Sequence, residues 1–136
     1  MNDRTTVWTD GACMKNGKRF AKAGSGIYFG KKDPRNTSCT VPGLQTNQRA
    51  EVWAVMQALM LTEDKQEKLH IVTDSMYAYK GATKQWRMKA NLDLFHQLWK
   101  LLEDRDVQWE FVYGHTGNEG NERADRLAKA ACYCRT

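Results

Sequence analysis

Two short β-branched runs, far apart in the chain, both stop on an aspartate. Thr5-Thr6-Val7-Trp8-Thr9 leads into Asp10, and Leu69-His70-Ile71-Val72-Thr73 leads into Asp74. Runs of this length, rich in Val, Ile, Thr and aromatics and closed by Asp-Gly or Asp-Ser, predict strands with their stops. Between them Ala50, Trp53, Ala54, Ala58 and Leu61 recur at helical spacing, with Thr46 or Asn47 placed to cap the helix. If the two strands are parallel neighbours, Asp10 and Asp74 emerge at one rim. Open α/β sheets hold their ligands beyond that rim.

The other segments complete the pattern. Gly24–Gly30 reads as a second strand, and Thr37–Val41 as a third closed by Pro42-Gly43, so the chain opens with an antiparallel meander. A short helix is expected from Ser75 to Ala82, and a longer one on the stripe Leu92, Phe95, Trp99, Leu102. Val107–Tyr113 alternates as a strand. A glycine-rich loop, Gly114–Gly120, precedes a last helix carrying Ala124, Leu127, Ala128 and Ala131 on one face. The order β-β-β-α-β-α-α-β-α predicts an α/β fold: a five-stranded mixed sheet, its first three strands antiparallel, flanked by helices. With 136 residues, 41% of them hydrophobic, the chain suits a single domain over 1–136.

Lys and Arg outnumber Asp and Glu by 21 to 16, a net charge of +5, which points to a polyanionic partner such as nucleic acid. No apolar run approaches the ~18 residues of a membrane span. The polar start Asn2-Asp3-Arg4 offers no signal-peptide pattern. The cysteines Cys13, Cys39, Cys132 and Cys134 form neither a disulfide framework nor a zinc spacing, so a reducing intracellular compartment is expected.

Four acidic residues sit in short motifs: Thr9-Asp10-Gly11-Ala12-Cys13, Thr46-Asn47-Gln48-Arg49-Ala50-Glu51, Thr73-Asp74-Ser75 and Gly120-Asn121-Glu122-Arg123-Ala124-Asp125. Taken singly, three have an ordinary explanation: a turn residue at Asp10, a solvated helix charge at Glu51, an N-cap at Asp74. Taken together they form a carboxylate set able to hold Mg²⁺, a hard cation that seeks oxygen. Two such ions side by side can drive in-line phosphodiester cleavage.

The four motifs in this order, with Gly114-His115-Thr116-Gly117, resemble ribonuclease H of type I, and the likeness runs from about Thr5 to Ala131. The segments Pro42–Glu51, Thr73–Tyr77 and Gly120–Ala128 resemble the catalytic domain of the eukaryotic cellular enzymes. The resemblance implies an endonuclease that cuts the RNA strand of RNA–DNA hybrids with two Mg²⁺ ions, Mn²⁺ being a possible substitute, and leaves 5′-phosphate and 3′-hydroxyl ends. It implies that Asp10 bridges both ions. Glu51 and Asp74 would hold the ion near the leaving group, and Asp125 the ion that activates water. His115 would assist proton transfer or product release from a mobile loop. By the same resemblance Cys13, Asn16, Asn47, Gln48 and Met76 sense the RNA strand. Thr46 and Asn91 would form a DNA-phosphate pocket, and Tyr77 and Trp86 an aromatic channel, with Trp86 alternatively covering the core.

The chain departs from the cellular pattern in two places. Leu44 stands where that pattern has an arginine, removing a charge-assisted phosphate contact. Between Trp86 and Asn91 only Arg87-Met88-Lys89-Ala90 remain where cellular enzymes insert a helix and a basic loop. Both departures predict weaker, less salt-dependent substrate binding, partly offset by Lys80, Lys84, Arg87 and Lys89. The expected partner is an RNA–DNA hybrid, with no membrane and a monomeric chain. Two alternatives are a nuclease domain dependent on a reverse-transcriptase partner, and an inactive hybrid-binding module.

Overall fold

A computed structural model describes residues 3–133. In chain order the elements are β1 (Thr5–Met14), β2 (Lys22–Tyr28), β3 (Thr37–Thr40), α1 (Asn47–Leu61), β4 (Leu69–Thr73), α2 (Met76–Ala82), α3 (Leu92–Leu102), β5 (Val107–Phe111) and α4 (Glu119–Cys132). The strands form one sheet in the order β3-β2-β1-β4-β5. β1, β2 and β3 pair antiparallel, while β4 joins β1 and β5 joins β4 in parallel. The expected α/β architecture is the observed one. Cys134 lies outside the described residues.

Two helices sandwich the central strands. Along β2, Ser25 donates its hydroxyl to the carbonyl of Ala50 on α1 (2.7 Å), while its neighbours Gly24 and Gly26 abut α4. Alternate residues of a strand point to opposite faces, so α1 and α4 cover opposite sides of the sheet. On the α1 side Val7, Ile27, Val52, Val55, Leu69, Ile71, Phe95 and Leu98 form the buried core. On the other side α4 lays down the small buried residues Ala124, Ala128 and Ala131.

The structure differs from the sequence reading at some ends. β1 does not stop at Asp10-Gly11 but continues to Met14, accompanied by β2 through Cys13↔Ala23 and Met14↔Lys22. Gly11 is not a turn residue there. It is a point of close approach, where a Cβ would sit 2.4 Å from the amide nitrogen of Glu51. β2 begins at Lys22 and ends at Tyr28. α4 starts inside the expected loop, because Asn118 Oδ1 accepts from the Asn121 amide at 2.9 Å and caps it.

Candidate active site

The parallel ladder between β1 and β4 ends at Thr9↔Thr73. The next residue on each strand is an aspartate, so Asp10 and Asp74 stand at the same rim. α1 can rest against β1 because Gly11 lacks a side chain, and this brings Glu51 to Asp10. Asp74 does not cap α2. Ser75 does: its Oγ accepts from the Ala78 amide at 3.0 Å, and its own amide donates to Thr73 Oγ1 at 3.0 Å. The Asp74 carboxylate is therefore left for the rim. Gly114 lies against it, since a Cβ there would be 2.8 Å from Asp74 Oδ2.

One carboxylate oxygen from each of Asp10, Glu51 and Asp74 lies within 4.8 Å of the others. Asp10 and Glu51 are only 4% and 8% exposed. Such a group cannot carry three negative charges unaided. Burial above all, then the charge of Glu51 and its hydrogen bond, push the Asp10 carboxyl up to about 11. Burial, with the charge of Asp74 adding to it, raises Glu51 to about 8, although its bonds to Asp10, Gly11 and Ser75 pull the other way. In the cation-free chain burial and crowding therefore favour a proton on the Asp10–Glu51 pair. The Gly11 amide donates to Asp10 Oδ1 at 2.9 Å, but Glu51 Oε1 is buried with no hydrogen-bond partner. An all-oxygen set with an orphaned buried oxygen fits a hard divalent cation, which would displace the proton.

Asp125 stands apart from this group. It lies half-buried on α4 and pairs with Lys129 one turn on, at 3.0 Å. That pairing, and more weakly the charge of Asp10, raise the Lys129 pKa. His115 is exposed and left-handed (φ 61°), directly after Gly114, on the turn closed by Thr116 Oγ1 donating to the Tyr113 carbonyl. Its loop thus borders Asp74.

The RNase H family profile matches residues 2–133. The chain belongs to the RNase H family. Ribonuclease H1 of Mus musculus is 39% identical over 143 residues, covering 95% of this chain and 50% of that protein. Ribonuclease H of Proteus mirabilis is 33% identical over 144 residues, covering 96% of this chain and 88% of that protein. This chain spans about half the length of the first curated relatives it matches. A crystal structure of LC11-RNase H1 in complex with an RNA/DNA hybrid shares the fold, with a TM-score of 0.72 at 19% identity over 93% of this chain and 95% of that one.

The positions that the RNase H resemblance marks for substrate fall into two groups. Asn16 and Asn47 meet directly: Asn16 Oδ1 accepts from the Asn47 amide at 3.0 Å, tying the β1–β2 loop to the start of α1. Cys13 Sγ reaches the Gln45 carbonyl at 3.5 Å in the same corner. Gln48, Tyr77 and Trp86 line one open groove of about 530 Å³ with Arg87, Met88 and Lys89. Trp86 is 46% exposed, so it serves the groove rather than the core. Met76 opens α2, next to the rim residues Asp74 and Ser75.

Thr46 and Asn91 are joined through Arg49, a residue to which the sequence reading gave no role. Thr46 Oγ1 accepts from the Arg49 amide at 3.1 Å, capping α1 and leaving its hydroxyl proton to donate outward. Arg49 Nη1 donates to Asn91 Oδ1 at 3.3 Å and to Asp93 Oδ1 at 2.9 Å, and Nη2 donates to Asp93 Oδ2 at 3.0 Å. Asn91 Nδ2 in turn donates to the Tyr77 hydroxyl at 2.9 Å. Arg49 also fills the floor beneath Gly43, where a Cβ would meet Nη2 at 2.9 Å. A cation in the first turn of a buried helix was its signal, because burial demands a partner. Lys129 was equally readable, four residues after Asp125. Leu44, at the position of the missing arginine, is 73% exposed.

Proposed function

We propose that this chain is an endonuclease that hydrolyses the RNA strand of RNA–DNA hybrids and leaves 5′-phosphate and 3′-hydroxyl ends. The observation that carries this reading is the carboxylate cluster of buried Asp10 and Glu51 with half-buried Asp74 at the β1–β4 rim of an RNase H chain. The hybrid complex of the structural neighbour supports the choice of substrate. Asp10, Glu51, Asp74 and Asp125 would hold two Mg²⁺ ions, with Mn²⁺ as substitute. Bound there, the ions would lower the pKa of a water and neutralise charge developing on the leaving 3′-oxygen.

The chain's own groups do the rest. Asp10 gives up its proton as the site fills. Asp125 exchanges Lys129 for a place in the site. His115 carries protons between the rim and solvent. Cys13, Asn16, Asn47, Gln48 and Met76 contact the RNA strand, where 2′-hydroxyls distinguish RNA from DNA. Thr46 and Asn91 take a DNA phosphate, and Tyr77 and Trp86 take the DNA backbone beside it. The reading includes a monomer working in a reducing intracellular compartment, which the free thiols of Cys13, Cys39 and Cys132 support.

The test is cleavage of a labelled RNA–DNA hybrid beside RNA–RNA, DNA–DNA and single-stranded RNA, with Mg²⁺ and with EDTA. Metal-dependent cutting of the hybrid RNA alone is expected. A folded chain that binds the hybrid without cutting it would instead be a module needing a polymerase partner.

A further inference from the structure

Away from the rim, the loop after β2 and the outer face of α4 enclose a pocket of about 250 Å³. Lys31 and Lys32 line it from the loop, Arg123 and Arg126 from the helix, and Tyr28 forms an aromatic wall. The sequence keeps these cations in two pairs far apart, and only the packing of α4 on β2 and β3 brings them together.

Among the described residues, three of the four have no ion-pair partner. Other cations of the chain find acids: Arg4 with Asp106 at 2.7 Å, Arg49 with Asp93 at 2.9 Å, Lys129 with Asp125 at 3.0 Å. Asp33, the acid in the same loop, is already taken. It accepts from the Arg35 amide at 2.8 Å and from Arg35 Nε and Nη2 at 3.2 Å. Within the pocket Arg123 reaches only Glu119, at 3.9 Å. Among the described residues no carboxylate lies within the 4.0 Å ion-pair distance of Lys31, Lys32 or Arg126, although Glu122 is one turn from Arg126. Four like charges around one concavity repel each other unless an anion joins them.

We infer that this pocket is a second nucleic-acid site, which takes backbone phosphates of the duplex outside the cleavage cleft. Its chemistry suits phosphate: two guanidinium groups able to donate in pairs, and two ammonium groups as point charges. Its position suits a duplex already at the rim. Arg123, Arg126 and Leu127 lie on the side of α4 turned away from Asp125, so pocket and rim flank one helix, about a helix diameter (~10 Å) apart. A hybrid of several helical turns can reach both, and contacts there would offset cations missing between Trp86 and Asn91. The inference rests on the reading of the chain as a nucleic-acid enzyme, but not on its cleaving anything.

The experiment compares the parent chain with Lys32→Gln/Arg126→Gln and with Lys31→Gln, a single change at an exposed loop residue that costs no packing. Binding to a long RNA–DNA hybrid is measured across a salt series in EDTA, with thermal melting as the check on folding. Each lost phosphate contact should flatten the log–log salt dependence by about 0.9. The double variant should therefore lose about 2 in slope and bind roughly 5- to 10-fold more weakly at low salt, and Lys31→Gln should lose about half as much slope. Slopes equal to the parent's in both variants would overturn the inference. So would an effect seen only in competition by inorganic phosphate, which would make the pocket a small-anion site. Because EDTA excludes cleavage, failure of the parent to cut hybrids would refute the proposed function and leave this result standing.

Discussion

The carboxylate rim and the Arg49 corner are built from the same helix, Asn47–Leu61, yet they handle buried charge in opposite ways. At the corner Arg49 is 6% exposed, and its two terminal nitrogens meet a carboxylate, an amide oxygen and the Pro42 carbonyl, so its charge is neutralised from within although Nε is buried without a partner. At the rim, two residues on, Glu51 faces two further acids and one of its oxygens has no partner. The corner pairs its own charge and holds Thr46, Asn91 and Tyr77 in register. The rim is incomplete and depends on a proton or a cation from outside. A buried site that cannot neutralise itself is where this chain is expected to do chemistry.

The largest effect should come from breaking the rim. Asp10→Asn should lower hybrid cleavage by at least about a thousandfold, because a neutral amide cannot bridge cations as a carboxylate does. The same change should raise the melting temperature in EDTA by a few degrees, because an amide need not take up a proton to be buried there. An active Asp10→Asn chain would sink the bridging role, and a destabilised one would contradict the protonation argument.

Breaking the corner should do the reverse. Asp93→Ala leaves a nearly buried guanidinium short of its carboxylate and should cost about 1–3 kcal/mol by urea denaturation. The figure is held down because the Asp93 side chain is 61% exposed. Substrate affinity should fall with it, through Asn91 and Thr46. Unchanged stability would show that the corner is not the scaffold described above.

Replacing the exposed histidine should matter less. His115→Ala should slow turnover roughly a hundredfold, with hybrid affinity near the parent's, at the low end of the roughly two to four orders of magnitude that a positioned proton carrier contributes. Complete inactivity would mean that the histidine is indispensable.

The gentlest perturbation is pH. Asp10 and Glu51 both have folded pKa values above those of the unfolded chain. Their contribution to folding is therefore fully present below about pH 4 and is lost as pH rises through about 8 for Glu51 and onward to about 11 for Asp10. In EDTA the melting temperature should show this as a decline from pH 5 to pH 9, absent from Asp10→Asn to the extent that Asp10 carries it. Mg²⁺ should raise the melting temperature more at pH 9 than at pH 6, because fewer protons then compete. A Mg²⁺ effect that grows towards acid pH would contradict the shared-proton picture.

Much of this was legible in the chain because it depends on local periodicity. The strand Leu69–Thr73 and the helix Leu92–Leu102 match their patterns end to end. Parallel pairing of the aspartate-ended strands, which decides the rim, could only be posed as a condition from the sequence, and the fold meets it. What stayed hidden was set by distant neighbours. Gly11 looks like a strand stop, yet its purpose is contact with Ala50 and Glu51, forty residues on. The Arg49–Asp93 bond spans 44 residues, beyond any helical spacing rule. Lys31, Lys32, Arg123 and Arg126 look like ordinary solvated charges until the fold gathers them around one pocket. Asp125 was placed correctly on its helix, but the Lys129 pairing that holds it was legible and went unread.

The most direct test of the rim as a cation-dependent catalytic site is the single-turnover rate of hybrid cleavage, measured against Mg²⁺ concentration at pH 6 and pH 8 for the parent and Asp10→Asn. The rim described above predicts cleavage that requires Mg²⁺, a half-saturating concentration that falls as pH rises, and no measurable rate in the variant. Cleavage that persists in EDTA, or in Asp10→Asn with the parent's Mg²⁺ dependence, would contradict it.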